Sequence, residues 1–99
     1  MSIIYRMTIR ARHDRSIRLG QCLARLDEIG RDIPGCLRLR VFPLRSDPLI
    51  WQVEGQWRSV AAREAFLGSE GLRLVLAQAI NEGLFTHLDC AVELQQQVA

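Results

Sequence analysis

What this sequence withholds narrows its reading before any motif is considered. Cysteine is scarce and poorly spaced for structural use: Cys22, Cys36 and Cys90 form an odd set without CxxC spacing, so neither a disulfide framework nor a zinc site is indicated and free thiols are expected. Charge of one sign is not in excess either. Thirteen basic against eleven acidic residues leave a formal net charge of +2, and the basic ones are spread out, which argues against nucleic-acid binding. No stretch approaches the roughly 20 apolar residues that a bilayer-spanning helix needs. The N-terminus MSIIYRMTIR has no basic region followed by a long apolar run, so no export signal or membrane anchor is read and a cytoplasmic location is expected. Repeats, linkers and low-complexity segments are missing, apart from a QQQVA tail that has nothing to hold it and should fray. GxSxG, HExxH, Walker and GxGxxG patterns are also missing, which argues against common hydrolases, zinc enzymes and nucleotide binders.

What is there is one domain, residues 1–99. With 48% hydrophobic residues it can form a core, but a thin one for its surface, and association would help it. Residues 2–11 alternate, Ile3, Tyr5, Met7 and Ile9 against Ile4, Arg6, Thr8 and Arg10, and read as a first strand. Asp14 is a plausible cap for a helix whose apolar stripe runs Ile17, Leu19, Cys22, Leu23, Leu26, Ile29 and Ile33. Pro34 and Gly35 end it. A second strand alternates Leu37, Leu39 and Val41 against Arg38, Arg40 and Phe42, and a turn at Arg45-Ser46-Asp47-Pro48 makes a hairpin with a third, Leu49 to Trp57. On that third strand Leu49, Trp51, Val53, Gly55 and Trp57 share one face.

Directly after Trp57 the period changes from two to that of a helix. Ser59 can cap it, Ala61, Ala65 and Phe66 recur at helical spacing, Gly68 breaks it, and Ser69 restarts it through Leu72, Val75, Leu76, Ala79 and Ile80 to Gly83. A last strand, 87–95, turns Leu88, Cys90, Val92 and Leu94 inward and Asp89, Ala91 and Glu93 outward. The order βαββαβ predicts an α+β, ferredoxin-like fold: a four-stranded antiparallel sheet in the order 4-1-3-2 with its helices on one face. In that order the arginines of the first strand lie between the acids of the third and fourth, favouring cross-strand ion pairs.

The run QWRSVAAREAFLGSEGLRLVL, a strand ending in Trp57, a polar turn, an Ala-rich helix and Phe66-Leu67-Gly68-Ser69 before a second helix, resembles the antibiotic biosynthesis monooxygenase family of small dimeric proteins. Pro34-Gly35-Cys36-Leu37 before an alternating strand resembles that family's second strand. The resemblance implies a homodimer in which two polar sheet faces meet to form an α+β barrel. It also implies a pocket between helices and apolar sheet face, where some members oxygenate phenols or hydroquinones without metal or flavin; no cofactor and no metal are expected here. Trp57 matches the strand-end Trp of the family and is the first candidate for pocket wall and indole donor.

Around Trp57 the other candidates follow from face and spacing. Trp51, deeper on the same face, lines the same cavity or fills the core. Tyr5 has a hydroxyl that needs a partner if buried, a substrate oxygen or a backbone carbonyl. Phe66, Leu76 and Ile80 are expected as neighbours and roof of an apolar site for a small aromatic ligand. His87 has a base's ordinary pKa range, yet its odd position points it to the polar face. The chain departs from the family pattern where many members have Glu two residues before the Trp and His at the place of Phe66, for Gly55 and Phe66 stand there. The first strand lacks an Asn used by several oxygenases, and Leu72 to Ile80 holds no axial His such as the haem-degrading branch requires. Two functions are thus expected: a cofactor-independent monooxygenase acting on a small aromatic or quinol, or a non-catalytic dimeric ligand-binding or stress-associated module.

Overall fold

The computed structural model describes residues 2–95, with side chains of the last strand described through Ala91. The inward placement expected of Val92 and Leu94, the outward placement of Glu93 and the fraying of the tail lie outside the described residues. Eight elements follow in order: β1 (Ser2–Ala11), α1 (Ser16–Ala24), α2 (Leu26–Arg31), β2 (Cys36–Pro43), β3 (Ile50–Trp57), α3 (Val60–Leu67), α4 (Glu70–Asn81) and β4 (Phe85–Gln95). The strands form one antiparallel sheet in the order β2-β3-β1-β4, the expected ferredoxin-like arrangement. The core lies between one sheet face and the helices. Ile3, Tyr5, Met7 and Ile9 of β1 and Val53 and Trp57 of β3 meet Leu19, Cys22, Leu23 and Leu26 of the first helical pair and Ala62, Phe66, Leu72, Val75 and Ala79 of the second.

Local chemistry sets most boundaries. Ser59 Oγ accepts from the Ala62 amide at 3.2 Å and Ser69 Oγ from that of Leu72 at 3.2 Å, so both expected caps form. At the end of α4, Gly83 adopts φ +64, a left-handed conformation that glycine reaches without strain. This lets Gly83 N bond Ile80 O and Leu84 N bond Ala79 O, both at 3.0 Å, which satisfies two terminal carbonyls and drives Leu84 into the core. In the β2–β3 turn, Asp47 Oδ1 accepts from the Leu49 amide at 3.0 Å.

Four expectations are corrected. The first helix starts at Ser16 with Arg15 at its cap and no side-chain cap bond, since arginine carries no side-chain acceptor; the Ser16 hydroxyl donates to Pro48 O in the β2–β3 turn at 2.7 Å. Asp14 lies in the preceding turn. The helix also divides at Arg25, whose amide reaches back to Cys22 O at 3.4 Å, and Ile17, counted in its buried stripe, is 80% exposed. In β2 the register slips between Cys36 and Arg38. That bulge makes Leu37 the extra residue and leaves it exposed rather than inward.

The sheet's other face is polar, and no helix among the described residues covers it. Arg6 pairs in register with Glu54, its Nε donating to Oε2 at 2.9 Å, while Arg40 of β2 donates to Oε1 at 3.2 Å. The arginine row of β1 therefore meets the acid of β3 as the alternation implied. The Arg6 hydrogen bond, ahead of Arg40, holds the Glu54 carboxyl below its usual range against the opposing effect of burial.

Candidate functional site

Trp57 ends β3 just before the Ser59 cap, and its side chain is wholly buried. Its ring rests on Phe66, with centroids 4.9 Å apart and planes tilted by 31°, a favourable offset geometry. The indole folds back along its own strand over Gly55. A Cβ at Gly55 would stand 2.7 Å from Trp57 Nε1 and 2.8 to 2.9 Å from the adjoining ring atoms, so the missing side chain at this position is what makes room for the ring. Trp57 Nε1 has no hydrogen-bond partner.

Gly55 pairs directly with Tyr5 of β1, which brings the tyrosine beside the indole. Tyr5 is 9% exposed. Burial first, then a hydrogen bond and charge interaction with Cys90, push its phenol up to about 12, while the Arg63 guanidinium works in the opposite direction. At neutral pH this hydroxyl is protonated and can donate, but it does not serve as a base. Arg63 projects from α3, its side chain 17% exposed. Nη2 holds Glu64 Oε1 at 2.9 Å toward solvent, whereas Nε is buried without an acceptor. Cys90, expected to be buried, is instead an exposed free thiol on the edge strand β4, although it lies on the same sheet face as Met7, its register partner. The corner under α3 thus holds Trp57, Phe66, Tyr5 and Arg63, with Cys90 at its β4 side.

The other sequence candidates go elsewhere. Trp51 is half-buried at the far end of β3; its ring lies on Gly20 of α1, where a Cβ would come within 2.4 Å, and its Nε1 donates to Ser16 Oγ at 3.0 Å. The structure does not bring it to Trp57. Leu76 is half-buried against the core. Ile80 is 64% exposed and forms no roof within the chain: Leu72, Val75 and Ala79 define the buried face of α4, and a step of one residue past Ala79 rotates Ile80 by about 100° off it. His87 is exposed on the polar face, in register with Arg10. There it lines, with Thr8, Arg10, Ile50 and Asp89, a depression of about 410 Å³. Two further depressions, of about 490 and 330 Å³, run between α1–α2 and β2 and share Asp27. Trp57 lines none of these three.

Arg63 and Cys90 were not singled out by the sequence reading. A signal existed for each. Arg63 stands three residues before Phe66 and so on a neighbouring part of the same helical face, and alternation along β4 already placed Cys90 on the apolar side. Among the described residues no group of three or more His, Cys, Asp or Glu is placed to hold a metal ion, and no helix is long and apolar enough to cross a membrane.

A four-stranded antiparallel sheet with helices on one face and a strand-end tryptophan beneath the third helix defines a small ferredoxin-like domain of the α+β class. Residues 2–78 match the sequence model of the antibiotic biosynthesis monooxygenase family, and the chain belongs to that family. No curated protein sequence matches it. Among solved structures it is similar to a candidate antibiotic biosynthesis monooxygenase from Deinococcus radiodurans, with TM-score 0.87 and 20% identity over 98% of this chain and 95% of that one. It is similar also to PA3566 from Pseudomonas aeruginosa, with TM-score 0.81 and 25% identity over 97% and 95%. SnoaB, a cofactor-independent oxygenase from Streptomyces nogalater, matches with TM-score 0.80 and 14% identity over 98% and 95%.

Proposed function

We propose that this protein is a cofactor-independent monooxygenase of a small phenol or hydroquinone, which enters the corner under α3 beside Trp57. The observation that carries this reading is the fully buried Trp57 Nε1 without an acceptor, over Gly55, the register partner of Tyr5. Leaving a buried donor unpaired costs about 1 to 3 kcal/mol, and such groups are rare enough in native folds to ask for a use. A substrate oxygen supplies the missing acceptor. SnoaB, of the same fold, is named a cofactor-independent oxygenase, and the family model covers the elements that build the corner.

The chemistry asks the protein to bind, orient and exclude water. An ionised hydroquinone or phenol gives one electron to dioxygen; the organic radical and superoxide combine at carbon, and loss of water leaves a carbonyl. Overall, a phenol and O₂ become a quinone and H₂O, the two hydrogens of the water coming from the ring C–H that is oxidised and from the phenolic O–H. Tyr5 and Trp57 donate to the substrate oxygen, Phe66 supplies an aromatic wall, and the charge of Arg63 favours the ionised substrate. His87 lies on the opposite sheet face and takes no part in this reading.

We further propose that the polar sheet face pairs with that of a second copy, forming the dimeric barrel, since it carries ion-paired arginines and carboxylates and has no helix over it. The location is read as cytoplasmic. A second function, non-catalytic binding of a small ligand by the dimer, is favoured by the complete burial of Trp57 against Phe66, which leaves turnover to depend on the corner opening. Oxygen uptake with a panel of hydroquinones decides between them. Uptake by the native protein, sharply reduced in Trp57→Phe, is the expected result; no uptake with any member of the panel would leave the binding module.

A further inference from the structure

On the side of the sheet away from the helices, β4, β1 and β3 bring together an unfinished set of charges. Arg10 pairs in register with His87 on one side and Ile50 on the other, and Thr8 pairs with Asp89. Asp89 is therefore the diagonal neighbour of Arg10, about 7 to 8 Å away, a separation that long side chains can close. The two do not join. Arg10 Nη1 turns to Asp47 Oδ2 at 3.5 Å, a long contact that leaves the rest of the guanidinium fork toward solvent, its side chain 49% exposed. Asp47 itself spends Oδ1 on the Leu49 amide. Asp89 has no hydrogen bond or ion pair among the described residues. These groups line the depression of about 410 Å³, and Ile50 is its apolar side.

We propose that this depression is a binding site for a small zwitterion, an α-amino acid with an aliphatic side chain. Its carboxylate takes the free part of the Arg10 fork, its ammonium takes Asp89, and its side chain lies on Ile50. Both polar contacts are charge-assisted. A simple anion would meet the Asp89 carboxylate and a simple cation would meet Arg10, so a ligand carrying both charges is selected over either. The volume of about 410 Å³ falls within the about 300 to 1,000 Å³ of small-molecule sites. His87, the register partner of Arg10, stands beside the place of the carboxylate. The site is on the opposite sheet face from Trp57 and does not depend on the oxygenase reading; a second copy paired over this face would roof it.

The chain has two histidines, so imidazole proton resonances report the site through His87, the His13→Gln variant assigning them. The probes, at neutral pH, are leucine, isocaproate, which is leucine without its ammonium, and isoamylamine, which is leucine without its carboxylate. The expected result is that leucine shifts the His87 resonances saturably and leaves those of His13 in place, while each single-charge analogue binds about fivefold more weakly, the scale of a solvent-open ion pair. Asp89→Asn should bring leucine down to the affinity of isocaproate without weakening the latter, and Arg10→Gln should bring it down to that of isoamylamine. Asp89→Glu, which keeps the charge, should retain part of the leucine affinity. Both side chains are exposed, and circular dichroism of the variants checks that the fold is kept. Equal affinity for leucine and either analogue overturns the proposal. So does a His87 resonance unmoved by leucine at about 10 mM, or an Asp89→Asn variant that loses leucine and isocaproate alike.

Discussion

The two tryptophans of β3 share a sheet face, and the chain treats their indole N–H groups in opposite ways. Trp51 is half-buried, seated on Gly20, and its N–H is given a built acceptor in Ser16 Oγ. Trp57 is wholly buried, seated on Gly55, and its N–H is given none. Both rings occupy space that a glycine vacates, so packing alone does not separate them. The difference lies in polar satisfaction: one end of the strand is finished as structure, while the other end keeps a donor in reserve beside Tyr5 and Arg63.

Truncation should expose this contrast most strongly. Trp57→Ala removes the largest fully buried side chain together with its contact on Phe66 and is expected to cost about 3 to 5 kcal/mol of folding free energy. Trp51→Ala should cost less, because its ring is already partly in water. Urea denaturation of both variants checks the order. A Trp57 variant that loses ligand binding or oxygen uptake by more than its loss of stability explains would mark that end as functional.

Filling the glycines is the next step down. Gly55→Ala puts a methyl group against ring atoms of a tryptophan with nowhere to go, and about 1 to 3 kcal/mol is expected. Gly20→Ala makes an even closer nominal contact, 2.4 Å, yet the half-exposed Trp51 can swing outward. Its cost should therefore be the smaller of the two despite the shorter distance. The reverse order in thermal denaturation would mean that Trp57 has slack around it.

Much of this was legible in the sequence, and the parts that were not share a cause. Strict alternation fixed the faces of β1 and β3, and Ser59 and Ser69 announced their helices, because each depends only on neighbours in the chain. Alternation reports a face but not a distance: it left Trp51 open between the cavity of Trp57 and the core, although at roughly 3.3 Å per residue the two stand about 20 Å apart. The bulge that turns Leu37 outward breaks no pattern of residue types. Arg63 has only its spacing from Phe66 to mark it, and that spacing does not say how deep its side chain lies; Ile80 reads as roof until the rotation of α4 is known. Gly55 in place of the Glu of many members was noted as a departure from the family pattern, but only the fold shows that the indole occupies the space this leaves.

Removing the acceptor sharpens the comparison at lower cost. Ser16→Ala takes away the partner of Trp51 Nε1 and also the bond to Pro48 O, and each is worth about 0.5 to 1.5 kcal/mol net. No corresponding residue stands beside Trp57. In the same background the Trp57 indole resonance should be unchanged, whereas that of Trp51 should move and exchange faster with solvent.

The smallest effect at neutral pH belongs to Tyr5, and it appears only in alkali. As the only tyrosine in the chain, it can be titrated without ambiguity by ultraviolet absorbance. Its phenol is raised from the ordinary 10.0 to about 12 chiefly by burial and then by Cys90, with Arg63 opposing. Raising an acid's pKa means that the fold prefers the protonated form. The associated stability is fully present below pH 10.0, the unfolded value, and is lost as pH rises from there toward 12. Cys90→Ala should lower the transition, since two of the raising influences disappear, and Arg63→Gln should raise it, since the one lowering influence disappears. Opposite shifts from these two substitutions would place both side chains around the hydroxyl. A native transition at the ordinary phenol value, unmoved by either change, would mean that water reaches the hydroxyl freely, and the Trp57 end of β3 would then be core of the same kind as the Trp51 end.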